Sequence, residues 1–192
     1  MEGEWGGEVR VEGGDRKARS GKAAGQAGLT TQIIFQDRMA ALNPREGVLE
    51  IIGEAPVAHG LIRRGEKEAL VARLLETVGL DPSMRDRYPH QFSGGQRQRL
   101  GIARALAVNP DFLICDESIA ALDISIQAQV LNLFIRLKNE FDLTYLFISH
   151  DLGVVHHISD RVVIMYLGRV VESGPTPAIF AEPNHPYTDA LL

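Results

Sequence analysis

One stretch of this sequence has the residues of a helix start that could bind an anion. A run of helix formers follows the four residues Ser93-Gly94-Gly95-Gln96. Serine can cap the first turn of a helix, and glycine leaves the neighbouring N–H groups uncovered. Those N–H groups have no partner inside the helix, and the macrodipole adds partial positive charge at the same end. The stretch predicts a phosphate-binding helix start, and helix capping alone is the simpler alternative.

Four further polar residues lie at the carboxyl ends of predicted strands: Gln36, Asp116, Glu117 and His150. Paired carboxylates after an apolar strand are typical of nucleotide hydrolases, where one carboxylate serves Mg²⁺ and the other polarises the attacking water. A histidine after a neighbouring strand can donate a hydrogen bond to charge that develops on a phosphate. A glutamine at such a place can orient water or bind Mg²⁺. Taken singly, the carboxylates could instead cap a helix, and the histidine and glutamine could be structural.

The elements that would hold these residues alternate along the chain. Apolar runs predict strands at 31–35, 111–116, 144–148, 161–166 and 169–172, and the second and third are predicted to be buried. Helical periodicity predicts a short helix near 48–52 before Pro56, and longer helices at 66–78, 93–107 and 124–138. Alternating strands and helices predict an α/β fold with a parallel sheet and functional groups at the carboxyl ends of its strands.

Composition narrows the class of protein. The 192 residues are 45% hydrophobic, enough for one core with one or two subdomains. The net charge of -5 argues against capture of nucleic acid, so no nucleic-acid partner is predicted. The single cysteine, Cys115, excludes an internal disulfide, and we expect it to be a small buried hydrophobe in a reducing compartment. No apolar run reaches the roughly 18 residues of a membrane-spanning helix.

Residues 1–28 differ in composition from the rest of the chain. They are rich in Gly, Glu, Lys and Arg and contain no Leu, Ile or Phe, so we expect most of this segment to be disordered. A strand at 8–12 is the most that it could form. Gly21 and Lys22 imitate the phosphate-binding P-loop, G-x-x-x-x-G-K-[ST], but Arg16 and Ala23 occupy its first glycine and its hydroxyl position. The segment is therefore predicted to hold no working P-loop.

Five motifs, in order, resemble those of ABC-type ATPases. They are Gln36-Asp37, Phe92-Ser93-Gly94-Gly95-Gln96, Leu113-Ile114-Cys115-Asp116-Glu117, Ala121-Leu122-Asp123 and Ser149-His150-Asp151. They are similar to the family's Q-loop, signature motif, Walker B strand, D-loop and switch histidine, and the resemblance covers about residues 32–192. It implies a P-loop-NTPase-like core with a mostly parallel sheet, a small helical subdomain at about 45–107, and the N-terminal part of the fold missing. The start of a C-terminal extension is expected at about 173–192.

Three further runs resemble the ATP-binding subunits of dipeptide and oligopeptide importers. They lie at residues 34–37 together with 41–45, at 125–130 and at 184–192, and the last reads Asn184-His185-Pro186-Tyr187-Thr188-Asp189-Ala190-Leu191-Leu192. The sequence departs from the pattern of these relatives at Arg38, Ser118 and Ala120, where they usually carry Pro, Pro and Ser. The resemblance implies an ATP-hydrolysing subunit that energises a permease by closing on a second subunit.

The resemblance also implies cofactors and a role for each site residue. The implied cofactors are ATP and Mg²⁺. Asp116 and Gln36 would serve the metal, and Glu117, His150 and Gln36 would be the catalytic set. In that set Glu117 would be the base and His150 would contact the γ-phosphate. The residues that would contact ATP bound between two subunits are Ser93, Gly94, Gly95, Gln96 and Asp123.

The implied partners are a second ABC ATPase subunit, identical or related, and transmembrane permease subunits. A peptide-binding protein would act indirectly, and the chain would lie at the cytoplasmic face of the cell membrane as a peripheral protein. Three alternatives stay open from the sequence. The chain could be a non-catalytic partner that supplies only the signature motif, a soluble ABC ATPase of DNA repair or translation, or a fragment from a truncated or frame-shifted reading frame.

Overall fold

The computed structural model describes residues 30–35, 42–119 and 123–192. Three parallel strands form one sheet in the order β1-β2-β3: Thr31–Ile34, Phe112–Asp116 and Thr144–Ile148. A separate antiparallel hairpin consists of β4 (Arg161–Tyr166) and β5 (Arg169–Pro175). The parallel α/β sheet is therefore confirmed. The predicted strand at 8–12 and Gln36 lie outside the described residues.

The described part of the chain contains seven α-helices. They are α1 Val48–Ala58, α2 Lys67–Thr77, α3 Gly94–Leu106, α4 Ile124–Phe141, α5 Leu152–Ile158, α6 Thr176–Ala181 and α7 Pro186–Leu191. Short 3-10 turns at Arg64–Glu66, Pro82–Asp86 and Pro89–Gln91 link the first three helices. No helix among these residues is both long enough and apolar enough to cross a membrane.

One face of the three-stranded sheet is covered by α3 and α4. Its residues Ile34, Leu113 and Cys115 are at most 5% exposed. On α4, the fully buried ring of Phe134 packs edge-on against Tyr145 and Phe147 of β3, with ring centroids 5.6 Å apart in each pair. This face carries the main core.

The prediction that β3 is a buried strand is wrong. Leu146 and Ile148 are 44% and 45% exposed, because their side chains point to the face of the sheet opposite α4. Ile33 of β1 lies on that same face and is 40% exposed. An unbroken apolar run indicates burial on both faces, but the described residues cover only one of them.

Helices α1, α2 and α3 pack together as a small helical unit. The expectation that α1 ends before Pro56 is wrong. The helix continues to Ala58, and Pro56 is buried in its last turn. That turn is closed by the His59 N–H donating to the Ala55 carbonyl at 2.9 Å and the Leu61 N–H donating to the Pro56 carbonyl at 2.9 Å. One lost hydrogen bond near a helix end is offset by these bonds and by burial of the ring.

The carboxyl end of α2 is held by two arginines from neighbouring helices. Arg99 of α3 donates to the Val78 carbonyl at 2.6 Å, and Arg136 of α4 donates to the Thr77 carbonyl. Gly79 follows with φ +74, as its place after the predicted helix indicates. Cations at carbonyls without intrahelical partners stabilise a helix end, so these bonds join the helical unit to the α/β core.

The C-terminal residues are anchored to the hairpin by the buried Glu172. Its carboxylate accepts hydrogen bonds from the Asn184 backbone N–H at 2.8 Å and the His185 backbone N–H at 3.2 Å. The nearby Thr188 hydroxyl forms no hydrogen bond of standard geometry with any of the described residues. Its polarity still has the largest effect on the Glu172 carboxyl, whose pKa is lowered to about 2, and the Asn184 N–H has the next largest effect. The segment that the sequence likened to peptide importers thus folds back onto β5.

The Glu172 anchor should weaken in acid. A carboxyl whose folded pKa is depressed from 4.5 to about 2 contributes stability above its ordinary pKa and loses that stability as pH falls toward 2. We expect hydrogen-exchange protection of the Asn184 and His185 amides to fall between about pH 4.5 and pH 2. Glu172→Gln should abolish this protection already at about pH 5. Glu182→Gln, which changes an exposed carboxyl, should leave the protection unchanged. Equal protection in wild type and Glu172→Gln would contradict this assignment.

Candidate functional site

The helix start at Ser93 has the predicted cap. The Ser93 hydroxyl accepts from the Gln96 N–H at 3.3 Å, and the Gln96 side chain accepts from the Ser93 N–H at 2.9 Å. This reciprocal pair is a capping box, which ties up two N–H donors that would otherwise be free. Arg97 also donates to the Phe92 carbonyl at 2.6 Å, which fixes the entry of the chain into α3.

Gly95 has a packing role that the sequence did not reveal. A methyl group in its place would come within 2.5 Å of Cγ2 of Ile126, in the first turn of α4. The glycine therefore lets α3 approach α4 closely, in addition to exposing its backbone. Only the packing of the two helices could have identified this contact, because Gly95 and Ile126 are far apart in sequence.

Gly95→Ala should lower the free energy of unfolding by about 1–2 kcal/mol, because Ile126 is β-branched and cannot easily rotate away. Gly101 of the same helix has no atom within 4 Å of the corresponding position. Gly101→Ala should instead stabilise by about 0.5–1 kcal/mol through helix propensity. Urea denaturation of both variants and of Gly95→Ala combined with Ile126→Ala measures the effect. A penalty that persists without the Ile126 side chain would show that the contact is not its cause.

The two strand ends bring Glu117 and His150 together. Nδ1 of His150 lies 3.1 Å from Oε1 of Glu117, whose side chain is 31% exposed, whereas that of His150 is 70% exposed. The Glu117 N–H donates to the Ile148 carbonyl at 3.0 Å, which extends the pairing of β2 with β3 by one residue. The backbone of Glu117 then turns with φ +42, a left-handed conformation that is unfavourable for a residue with a side chain.

Asp116 ends β2 beside this pair, and its side chain lies on the same face of the sheet as that of Ile114, opposite α4. Neither Asp116 nor Glu117 caps a helix, because α4 begins only after Asp123. The described residues contain no group of three or more His, Cys, Asp or Glu side chains that could hold a metal ion. Mg²⁺ commonly takes one or two protein carboxylates together with phosphate oxygens. Asp116 fits that partial set of ligands.

The segment after His150 is fixed by residues to which the sequence assigned no role. The Asp151 carboxylate accepts from the N–H groups of Gly153 and Val154 and so caps α5. The Ser149 hydroxyl accepts from the Asp151 N–H at 3.0 Å. Gln127 of α4 donates to Asp151 at 3.3 Å. An Asp before a predicted helix is the pattern that could have revealed this cap.

The remaining candidates are placed as follows. Asp123 is the exposed N-cap residue of α4 and makes no side-chain capping bond. Cys115 is fully buried, and burial raises the pKa of its thiol, as a structural cysteine requires. Ser118 is also fully buried, and its hydroxyl forms no hydrogen bond of standard geometry with any of the described residues. Gln36 and the first two residues of the predicted D-loop, 121–122, lie outside the described part of the chain.

Residues 3–120 match the family model described as "ABC transporter". The chain belongs to the ABC transporter family. The match begins at residue 3, so the similarity reaches into the N-terminal segment and is longer than the motifs from residue 32 onward indicated.

Curated relatives indicate which kind of ABC transporter protein this chain is similar to. The oligopeptide transport ATP-binding protein AppF of Bacillus subtilis is 56% identical over 84% of this chain and 49% of its own length. The dipeptide transport ATP-binding protein DppF of Lactococcus lactis is 48% identical over 97% of this chain and 60% of its own length. This chain thus spans about half the length of the curated relatives that it matches.

A solved structure confirms the fold class. CbiO1 from Clostridium perfringens, described as part of the ABC transporter complex CbiONQ, superposes with a TM-score of 0.72 at 29% sequence identity. The superposition covers 80% of this chain and 60% of CbiO1. The predicted ABC ATPase core is therefore confirmed, and the sequence contains no complete P-loop motif.

Proposed function

We propose that this chain is an ATP-binding and ATP-hydrolysing subunit of an ABC transporter that imports dipeptides or oligopeptides. It would act as a peripheral protein at the cytoplasmic face of the cell membrane. The contact between Glu117 and His150, 3.1 Å apart beside Asp116, is the observation that carries this proposal. The names of the relatives AppF and DppF supply the class of cargo.

Each residue has a role that follows from its chemistry. Asp116 would hold Mg²⁺ together with phosphate oxygens of ATP, and the metal would neutralise charge on those oxygens. The Glu117 carboxylate would accept a proton from the attacking water. The contact with Glu117 holds the His150 ring at the sheet edge, where it would donate a hydrogen bond to the γ-phosphate. Gln36 would sense the metal and the water.

The helix start at Ser93 would serve a different ATP molecule. We propose that Ser93, Gly94, Gly95 and Gln96, together with Asp123, contact nucleotide held by a second ABC ATPase subunit, identical or related. The helical unit and the residues after Gln36 would contact the permease, and a peptide-binding protein would deliver the cargo to that permease. Closure of the two ATPase subunits on ATP would then drive transport because the closed state binds ATP more tightly.

A second candidate function rests on a different observation. The capping box at Ser93 is formed, whereas the 192 residues contain no G-x-x-x-x-G-K-[ST] sequence to hold ATP phosphates. The chain would then complete a partner's ATP site without binding its own nucleotide. Ser93 and its glycines would remain functional, and Glu117 would not.

Nucleotide stoichiometry distinguishes the two candidates. Binding of a fluorescent ATP analogue with Mg²⁺ is measured for the chain alone, for AppF of Bacillus subtilis alone, and for their mixture. Two nucleotides per heterodimer support the catalytic subunit, and one supports the half-site partner. Micromolar binding by the chain alone refutes the half-site candidate. Failure to pair with AppF, and failure to restore oligopeptide uptake in a strain that lacks AppF, would contradict the transporter role.

A further inference from the structure

Two exposed rings lie shortly before the helix start at Ser93, and we call Tyr88 and His90 the aromatic pair. Their rings are stacked, with centroids 5.8 Å apart and an angle of 17° between the ring planes. Tyr88 is 44% exposed, and His90 is exposed as well. Neither residue belongs to a hydrophobic cluster of the described residues. The aromatic pair therefore contributes little to the core, and its rings are accessible to a ligand.

The backbone that carries the aromatic pair is fixed by hydrogen bonds. The Tyr88 N–H donates to the Gln91 side chain at 2.8 Å, and the Gln91 N–H donates to the Tyr88 carbonyl at 2.9 Å. Pro89 is buried, and its ring restricts the backbone torsion angle φ. Phe92 is also buried, and its carbonyl accepts from Arg97. Side chains on a backbone that is already ordered lose less conformational entropy when they bind a ligand.

The aromatic pair and the helix start at Ser93 are joined by a short, ordered connection. The 3-10 turn Pro89–Gln91 and the extended residue Phe92 separate Tyr88 from Ser93, which is itself exposed. A 3-10 turn rises about 2 Å per residue and an extended backbone about 3.3 Å per residue, so the two Cα atoms lie within about 15 Å of each other. A nucleoside triphosphate spans a comparable distance from its base to its γ-phosphate. The two features can therefore contact opposite ends of one nucleotide.

The chemistry of these two features matches the two ends of a nucleotide. The capping box uses the N–H groups of Ser93 and Gln96, which leaves those of Gly94 and Gly95 at the helix start for phosphate oxygens. Aromatic rings instead stack on nucleobases, because every base has a π face. An aromatic side chain can therefore bind the end of the nucleotide that the helix start cannot bind.

We propose that Tyr88 and His90 contact the adenine base of the nucleotide whose phosphates lie against the helix start at Ser93. This inference rests on the function proposed above, in which a second ATPase subunit holds that nucleotide. A ring of the aromatic pair would stack on the adenine, and the ordered turn would keep that ring at a fixed distance from the phosphates. This chain would then recognise the whole nucleotide rather than its phosphates alone.

Nucleotide-dependent association with a relative tests this proposal. The full 192-residue chain is labelled with a fluorophore and titrated with AppF of Bacillus subtilis that is saturated with Mg²⁺ and adenylyl imidodiphosphate, a non-hydrolysable ATP analogue. Fluorescence anisotropy gives the dissociation constant. We expect Tyr88→Ala to weaken the association at least about fivefold, the lower end of the effect of removing a ring that stacks on a base. Tyr88→Phe should keep the wild-type affinity because it keeps the ring.

A matched variant and a second ligand serve as controls. Tyr166→Ala alters a tyrosine of similar exposure, 45%, on the hairpin and should leave the affinity unchanged. Magnesium tripolyphosphate carries phosphates without a base, so wild type and Tyr88→Ala should associate equally with AppF that is saturated with it. Circular dichroism checks that each variant folds. His90→Ala, which should also weaken the nucleotide-dependent association, replaces Tyr88→Ala if the latter does not fold.

Three results would overturn the proposal, and they differ from one another. Equal affinity of wild type and Tyr88→Ala with the ATP analogue would contradict the base contact and leave the proposed transporter function standing. Equal losses of affinity with the analogue and with tripolyphosphate would assign the aromatic pair to a direct contact between the two proteins. If the wild type shows no nucleotide-dependent association, the proposed function itself is contradicted, and the base contact with it.

Discussion

Glu117→Gln should lower the ATP hydrolysis rate of the proposed transporter by about 10²–10⁴, the usual contribution of a positioned general base. Glutamine has almost the shape of glutamate, but it cannot take a proton from water. The side chain would still reach the His150 ring, since the 3.1 Å contact needs only an acceptor or donor at that place. Binding of ATP should therefore change little.

Steady-state phosphate release by the proposed complex of this chain, a partner ATPase and a permease measures the effect. The matched control is Glu140→Gln, which removes an exposed carboxylate of α4 that lies outside the site. A rate for Glu117→Gln close to that of wild type would contradict catalysis by this subunit. Because a half-site partner needs no catalytic base, the same result would favour the second candidate function.

Phe134→Ala should lower the free energy of unfolding by about 3–5 kcal/mol, the range for removing a fully buried aromatic ring. Phe134 is 0% exposed, and its ring contacts two rings of β3, so its loss would leave a cavity between α4 and the sheet. The side chains that line the cavity would lose their dispersion contacts with the ring. The hydrophobic free energy of burying the ring would be lost as well. Since β3 carries His150 at its end, the site should loosen as well.

Urea denaturation followed by circular dichroism measures this loss. Phe35→Ala is the matched control, because Phe35 is 51% exposed and its truncation opens no closed cavity. We expect that control to cost less than about 1 kcal/mol. A loss below about 1 kcal/mol for Phe134→Ala would show that α4 and β3 can repack around the missing ring, and that the ring contacts are not what holds them together.

The sequence predicted the elements of the core well where one local pattern dominated. Periodicity located α2, α3 and α4 to within three residues at each end, and the Ser93 cap follows from residue types that lie three positions apart. These features depend on residues that are close together in sequence, so the sequence alone shows the residue types that produce them. The pattern failed at Pro56, where tertiary burial and the closing hydrogen bonds outweighed the local rule.

The sequence by itself determined the types and order of the groups that can bind phosphate and metal, and the family to which they belong. The tertiary structure alone decided that Glu117 meets His150, that Gly95 makes room for Ile126, and that the described residues cover only one face of the sheet. Each of these depends on residues more than 30 positions apart, or on which face of a strand is covered. A local pattern reports which residues are apolar or ionisable, but only packing in three dimensions decides what they contact.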